Sequence, residues 1–483
     1  MTLTAQIEAI LPDFSFLIGD RELSSVGAPT LEHHYPATGE VVGTVELAGA
    51  AQVEEAIAEA RGAAAEWWSA SPAFRRDCLA RVADLIRSNA DDLTLISMLD
   101  NGISAQGLAG IAADIFAYNA GWADKLMGEV IPTWPVRSVD YAVMEPYGVV
   151  SLIIPWNGPL MGFCTTVAPA LAAGNCVVVK PSELAPYTCL KLGQLCVEAG
   201  IPAGVVNVIP GDGVAGSMLV SHAGVDKAHF TGSVSTARQV IAASAATVKP
   251  LGLELGGKSA NLVFDDADLV PAVRAAVRGI TALNGQACTN GTRILVQAKI
   301  YESFAGMLED AVRGLKLTDP LVDPSGVGSV ISAQARERIE TAVESAAAAG
   351  HGRPVFGGEQ IPNAQGYFVR PTAVIDADPD SQIAQEELFG PVATVTPFDA
   401  EADGVALANG TNYGLAAYMH TNDLRRAHRV SAELQAGMVW VNGPGALLPS
   451  IPFGGVKDSG FGRLGGADGI REFSRRKNVW IRV

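Results

Sequence analysis

The sequence predicts an α/β fold built on parallel sheets with helices on both faces, and three observations carry that prediction. From Tyr141 onward period-two and bare apolar runs alternate with helical segments, as in strands buried on both sides. A second alternating series follows Glu254. The chain of 483 residues is also too long for one core and suggests roughly three compact units of about 150 residues each.

The first ~45 residues carry a turn signal, Pro36-Ala37-Thr38-Gly39, and a strand-like run from Glu40 to Leu47. Helical spacing of Val53, Ile57, Ala60 and Ala64 follows. Ser71-Pro72 reads as N-cap and first position of a helix that puts Leu79, Val82 and Ile86 on one face. A further helix, through Leu93 to Leu99, stops at Asn101-Gly102. Strands are then expected over Tyr141 to Met144, Val149 to Ile154, Cys176 to Val179, Val205 to Ile209 and Ala228 to Phe230. Helices fill Thr166 to Ala173, Thr188 to Glu198 and Val214 to His222. The second series places strands near Asn261 to Phe264, Arg293 to Val296 and Val439 to Asn442. No repeat, low-complexity segment or compositional linker divides the two series, so they are expected to share one cleft.

Hydrophobic residues at 48% and charged residues at 18% describe a well-packed globular protein, and a formal net charge of −17 argues against nucleic-acid binding. Six cysteines (78, 164, 176, 189, 196 and 288) form no C-x-x-C pair. That fits a reducing compartment, with neither a disulfide framework nor a metal site. The N-terminal segment lacks the pattern of a secretory signal, and Pro155, Pro169 and Gly174 interrupt the longest apolar stretches. A cytoplasmic protein is expected, with no membrane or nucleic-acid partner.

The stretch Asn284-Gly285-Gln286-Ala287-Cys288 closes an apolar helical run in which Leu283 is expected to complete the apolar face. Gly285 supplies a turn that residues with a Cβ adopt reluctantly. Beyond it one thiol, Cys288, is presented at the mouth of a strand-loop-helix layer, where it is either an inert packed cysteine or a nucleophile. Glu254 sits in an apolar and glycine-rich setting, and burial would raise its pKa toward general-base strength. Asn157, after an apolar strand, offers a neutral amide donor of the oxyanion-hole kind. Phe230-Thr231-Gly232-Ser233 ends a strand and opens a helix, a place for a pyrophosphate. The run Gly211 to Gly216 reads equally as a structural turn and as a dinucleotide-binding loop. Lys180-Pro181-Ser182-Glu183 lies at a carboxyl sheet edge, where a carboxylate accepts hydrogen bonds from a ribose. A solvated turn is the alternative there.

The segments PWN (155–157), KPSE (180–183), FTGS (230–233), LELGGKS (253–259), GQ-x-C (285–288), EELFGPV (386–392), NYGLAA (412–417) and PFGG-x-K-x-SG (452–460) occur in that order over most of the chain. Together they resemble the NAD(P)-dependent aldehyde dehydrogenase superfamily. The resemblance implies an aldehyde dehydrogenase-like fold of three parts: a Rossmann-type cofactor domain (1–126 and 147–253), an α/β catalytic domain (254–470) and a small β oligomerisation flap (127–146 and 471–483). The flap would pair strands around Ile131 to Glu145 with Asn478 to Val483, giving a homodimer or homotetramer. It implies NAD-dependent oxidation of an aldehyde to an acid through a thioester on Cys288, with Asn157 and the Cys288 backbone N–H at the oxyanion and Glu254 activating water. Lys180 completes the expected catalytic set. Cofactor contacts are expected at Ile153, Ile154, Pro155, Trp156, Lys180, Ser182, Glu183, Gly213, Phe230, Thr231, Gly232, Ser233, Leu255 and Gly256, with Glu387 on the nicotinamide ribose and Phe389 near the nicotinamide.

By the same resemblance Gly158, Met161, Thr165, Ala287, Thr289, Leu447 and Phe453 line the substrate tunnel. None is charged, which predicts a medium to bulky apolar or aromatic aldehyde and disfavours semialdehydes of dicarboxylic acids. A non-catalytic relative and an enzyme passing the thioester to coenzyme A share these motifs. The intact set Cys288, Glu254, Asn157 and Lys180 speaks against the first, and Glu254 against the second. Two positions depart from the family pattern. Ala237 stands where a glycine is usual, with a methyl expected to crowd the pyrophosphate, and Leu464 stands where glutamate is common.

Overall fold

The computed structural model describes residues 10–24, 28–443, 445 and 448–482. Leu447 and Val483, expected in the tunnel and the C-terminal strand, lie outside the described residues. An eight-stranded sheet has the order Arg21–Leu23, Phe16–Ile18, Val206–Val208, Cys176–Pro181, Val149–Ile154, Lys227–Gly232, Leu251–Leu255, Gly460–Phe461. Its five middle strands are parallel, and antiparallel strands close both edges. Val149–Ile154 and Cys176–Pro181 are buried at every residue, as strands without alternation must be when helices cover both faces. From Val149–Ile154 the chain builds first toward Val206–Val208 and then, on the other side, toward Leu251–Leu255. The switch point therefore lies between Val149–Ile154 and Lys227–Gly232, and a crevice opens past their carboxyl ends.

The second sheet has seven strands, ordered Arg353–Phe356, Thr372–Ile375, Val392–Phe398, Arg293–Gln297, Ala260–Val263, Ala416–His420, Met438–Val441. All neighbours are parallel except the first pair. Only Gly256 to Ser259 separates the last parallel strand of the first sheet from Ala260–Val263 of the second, so the LELGGKS segment is the bridge between them. Leu251–Leu255 runs two residues past the boundary expected at 253. Gly460–Phe461 returns to the first sheet, where it pairs with Leu253 and Glu254. A third, antiparallel sheet joins Glu129–Val130, Ser138–Pro146 and Ser474–Arg482. Tyr141 to Met144 belongs here and not to a parallel sheet.

The helices follow local chemistry. Ser71 caps Pro72–Ser88 by accepting from the Phe74 N–H, and Gly102 ends Ala90–Asn101 in the left-handed conformation at φ 69°. The helix before the thiol turn, Leu269–Thr281, stops earlier than its apolar pattern suggested. Leu283 and Asn284 have φ of 48° and 56°, so Leu283 lies beyond the helix and does not complete its face. Among the described residues no helix is long and apolar enough to cross a membrane.

Candidate active site

The thiol turn is held from both sides. Asn284 donates to the carbonyls of Gly102 and Ser329, each at 2.9 Å, and accepts from the Gly328 N–H. Gln286, fully buried, accepts from the Ile331 N–H at 2.9 Å. Gly285 has φ 77°, and a Cβ there would stand 2.1 Å from the Gly390 carbonyl carbon, so both conformation and space demand glycine. Against this fixed base Ala287, Cys288 and Thr289 are half-exposed while Gln286 and Asn290 are buried. The turn thus offers three consecutive residues to the cleft, with the thiol in the middle.

Two elements of the first sheet reach this thiol. Asn157, past the end of Val149–Ile154, donates from Nδ2 to the Gln286 carbonyl at 2.8 Å; its amide keeps a second N–H for another acceptor. The Cys288 carbonyl packs against Gly257, where a Cβ would meet it at 2.5 Å. That contact brings the end of Leu251–Leu255, and Glu254 with it, to the thiol. Glu254 is 3% exposed and neither carboxyl oxygen has a hydrogen-bond partner. Burial raises its pKa well above the carboxylate range, opposed by Arg463 and reinforced by Glu472. Burial, with Glu387 and Glu254 adding to it, pushes the Cys288 thiol up to about 12. A resting thiol in this setting is protonated and slow to oxidise.

Glu387 accepts from the Gly257 N–H at 3.0 Å, and its carboxyl is raised to about 7, first by burial. A Cβ on Gly256 would fall 1.9 Å from Glu387 Oε2, so that glycine is what lets the carboxylate close on the bridge. Phe389, at φ 53°, sets its ring edge-on to Trp156 with centroids 5.4 Å apart. The Trp156 carbonyl accepts from Asn101 at 3.1 Å.

A second group of expected residues gathers along the carboxyl edge of the first sheet. Lys180 is buried, donates to the carbonyls of Pro181 and Gly211, and lies 3.9 Å from Glu183 Oε2. Ser182 donates to Glu183 at 3.4 Å. Asp212 caps the helix Gly213–Ser221 through the Val214 and Ala215 N–H groups, so Gly211 to Gly216 is a capped turn, with Gly213 exposed at its rim. Thr231, Gly232 and Ser233 lead into Val234–Ser244, where Ser233 Oγ accepts from the Thr236 N–H at 3.2 Å. Its hydroxyl is committed to its own helix, which leaves the backbone N–H groups of the first turn for an anion. Ile153, Phe230 and Leu255 pack in one apolar cluster under this edge. Ala237 is in that cluster too, 1% exposed; its methyl fills core space, so the expected crowding of a pyrophosphate does not follow. These residues fit a dinucleotide: a helix start for the phosphates, a half-buried carboxylate beside an ammonium for ribose hydroxyls, and the Glu387 carboxyl at the far end, held on the Gly257 N–H.

Among the expected tunnel residues, Gly158, Met161 and Thr165 are half-buried, together with Gly162, in an otherwise buried stretch, Gly158 to Ala172. Thr165 donates to the Met161 carbonyl at 2.8 Å, one turn back. Phe453 packs both against the first core and against the cluster of Leu415, Ala416, Tyr418 and Met438 that receives Cys288. Tyr418 donates to the Thr289 carbonyl at 3.0 Å, and its ring lies 5.1 Å from that of Trp440.

Residues 24–479 match the model of the aldehyde dehydrogenase family. The chain belongs to that family. Among curated aldehyde dehydrogenases, betaine aldehyde dehydrogenase of Cereibacter sphaeroides is 40% identical over 474 residues, covering 97% of each chain. Betaine aldehyde dehydrogenase of Agrobacterium fabrum is 40% identical and spans 100% of this chain and 98% of its own. An NAD⁺ complex of an aldehyde dehydrogenase from Bacillus cereus superposes with a TM-score of 0.96 at 35% identity, covering 100% and 99% of the two chains. Betaine aldehyde dehydrogenase of Staphylococcus aureus, also in complex with NAD⁺, gives 0.94 at 34% identity over 99% and 96%.

Several supporting residues of this aldehyde dehydrogenase were not singled out from its sequence. Gln286 and Asn284 were read only as turn residues, and Asn101 only as a helix stop. Ser459, inside the PFGG-x-K-x-SG segment, donates to the Gly256 carbonyl at 2.7 Å and accepts from the Gly414 N–H at 2.9 Å. Tyr418 and Trp440 sit in strands whose apolar pattern gives no hint that they face a thiol. A polar residue flanked by glycine or apolar neighbours was the available signal for the first four.

Proposed function

We propose that this member of the family is an NAD-dependent aldehyde dehydrogenase that works through a thioester on Cys288. The observation that carries the reading is the meeting of three groups at one turn: a half-buried thiol, an amide donor fixed to the residue two before it, and a buried carboxyl without partners. The Cys288 thiol gives up its proton to solvent water, its sulfur bonds to the aldehyde carbon, and Asn157 and the Cys288 backbone N–H meet the oxygen that gains charge, worth ~3 kcal/mol per good donor. When bound, NAD would supply the acceptor for the hydride on this carbon. Glu254 then takes a proton from water as the water oxygen bonds to the thioester carbon, and the carbon–sulfur bond breaks to return the thiol. Lys180, Glu183 and the first turn after Gly232 would hold the adenosine half of NAD, and Glu387 the nicotinamide ribose. Lys180 stands in both sets of this reading, holding the ribose of NAD and completing the catalytic group.

The uncharged surround of Gly158, Met161, Thr165, Ala287, Thr289 and Phe453 supports an apolar or aromatic aldehyde. A second reading has its own support: the rings of Tyr418 and Trp440 behind the thiol and the names of the relatives favour a quaternary ammonium aldehyde, which aromatic faces attract. Purified protein with NAD and benzaldehyde, hexanal, betaine aldehyde and succinic semialdehyde separates them through absorbance of the reduced cofactor. Highest efficiency with benzaldehyde or hexanal is expected; betaine aldehyde far ahead would favour the second reading, and succinic semialdehyde equal to hexanal would refute both.

The domain division proposed is cofactor (to 126 and 147–253), catalytic (254–470) and flap (127–146 and 471–483), with Glu254, Leu255, Gly460 and Phe461 completing the cofactor sheet. The flap is proposed to join copies of the chain in a dimer or tetramer, since Val130, Trp134, Val139, Trp480 and Ile481 all expose apolar surface on it. A cytoplasmic location is part of the same reading.

A further inference from the structure

Glu254 must act as a carboxylate in a place that opposes its charge. Among the described residues nothing donates to it, yet a base has to be a carboxylate. The segment after the PFGG motif supplies what the immediate surroundings lack. A Cβ on Gly454 would stand 2.8 Å from Glu254 Oε1 and 2.9 Å from Arg463 Cδ. Glu254 Oε1 and the Arg463 Cδ methylene therefore flank the same space, at most about 6 Å apart, and only a glycine leaves that space open. Arg463 is not free to wander: its Nη1 donates to the carbonyls of Gly455 at 2.8 Å and Gly462 at 2.7 Å. Among the described residues no carboxylate comes within ion-pair distance of it, so its charge is not already neutralised.

The other groups that bear on Glu254 do not serve this purpose. Glu472 is a like charge, and Lys227 neutralises it at 2.7 Å. Cys288 is the thiol itself. Leu464, beside Arg463, is buried among apolar side chains and pairs through its backbone with Phe453; it adds no charge to this face.

We propose that Arg463 is a positioning residue for the base, holding Glu254 in the carboxylate form across the Gly454 gap. The proposal rests on Glu254 being the base, and both can be tested in one experiment. Enzyme with bound NAD is mixed rapidly with benzaldehyde between about pH 6 and about pH 10, and reduced cofactor is followed through the first turnover and the steady state. Burial raises the Glu254 carboxyl and Arg463 pulls it down, so removing the cation shifts the base limb to higher pH. Arg463→Met is expected to keep a first-turnover burst of about one equivalent, and to move the midpoint of the steady-state limb up by about one pH unit or more. Its steady-state rate would then fall about tenfold at neutral pH and recover in alkali, with Arg463→Lys between it and the parent enzyme. A residue that merely supports the fold would lower the rate at every pH and leave the midpoint in place. An unmoved midpoint in Arg463→Met, or loss of the burst in both variants, overturns the proposal. If Glu254→Gln stalls after the burst while the Arg463→Met midpoint stays put, only the proposal fails. If Glu254→Gln turns over unchanged, the reading of Glu254 as base fails with it.

Discussion

Removing the Asn157 side chain tests the oxyanion site with little ambiguity, because its geometry predicts two separable losses. The Nδ2 bond to the Gln286 carbonyl at 2.8 Å anchors the thiol turn, and an ordinary hydrogen bond of this kind contributes about 1 kcal/mol. That loss is small because Asn284 and the Gln286 side chain hold the same turn through four further bonds. The second N–H is the donor for the developing oxyanion, worth roughly 3 kcal/mol, or about 100- to 1,000-fold in rate. Asn157→Ala should therefore slow formation of the first equivalent of reduced cofactor by at least about 100-fold, with NAD affinity changed less than about threefold. Alkylation of Cys288 by iodoacetamide should change by no more than a few-fold, since the turn stays in place. Rapid mixing with benzaldehyde, NAD titration and alkylation kinetics measure the three quantities. A first-turnover rate within about fivefold of the parent enzyme would refute Asn157 as an oxyanion donor.

Other outcomes follow from the same geometry. Gly285→Ala should cost well over 2 kcal/mol, since the left-handed backbone alone costs about 1–2 kcal/mol and the Cβ would also overlap the Gly390 carbonyl carbon; a melting temperature within about two degrees of the parent would contradict this. NAD should be preferred over NADP by at least about tenfold, ~1.4 kcal/mol, because Glu183 places its charge beside Lys180 at the ribose site, and Glu183→Gln should narrow that ratio in steady-state kinetics. The Glu254 carboxyl titrates above its unfolded value, so its contribution to stability is full below about pH 4.5 and is lost as pH rises toward the folded pKa. Glu254→Gln, which never ionises, should gain stability relative to the parent as pH goes from about 5 to about 9; melting curves that stay parallel would show that folding does not raise the Glu254 pKa.

Much of this architecture was legible because each strand announces itself as a short apolar run bounded by turn residues. Val149–Ile154 and Cys176–Pro181 are of that kind, and the caps at Ser71 and Gly102 lie where their side chains or lack of them require. The helix Leu108–Ala120 went unread because its sequence is apolar on nearly every side, with buried Ala109, Ala112, Ala113, Ile115 and Phe116, so no polar stripe reveals a period. Leu283 was misplaced for the opposite reason: it continues the apolar pattern of its helix, while the backbone has already turned to reach Gly285. At the site, Cys288, Glu254 and Asn157 were legible through their motifs. Their partners were not, because the contacts of Gln286 with Ile331, Asn101 with Trp156 and Arg463 across Gly454 from Glu254 join segments far apart in the chain, and nothing local encodes them. The packing of Ala237 into the core also escaped the sequence, since a helix that starts at an anion site still has an inward face.

The central claim is a covalent acyl group on Cys288, and its most direct measurement is mass spectrometry of Glu254→Gln enzyme quenched in acid after mixing with NAD and benzaldehyde. The account predicts one benzoyl group per chain on the peptide containing Cys288, appearing in step with one equivalent of reduced cofactor and absent from Cys288→Ala. Reduced cofactor formed with that peptide unmodified, or an acyl group on one of the other five cysteines, would contradict it.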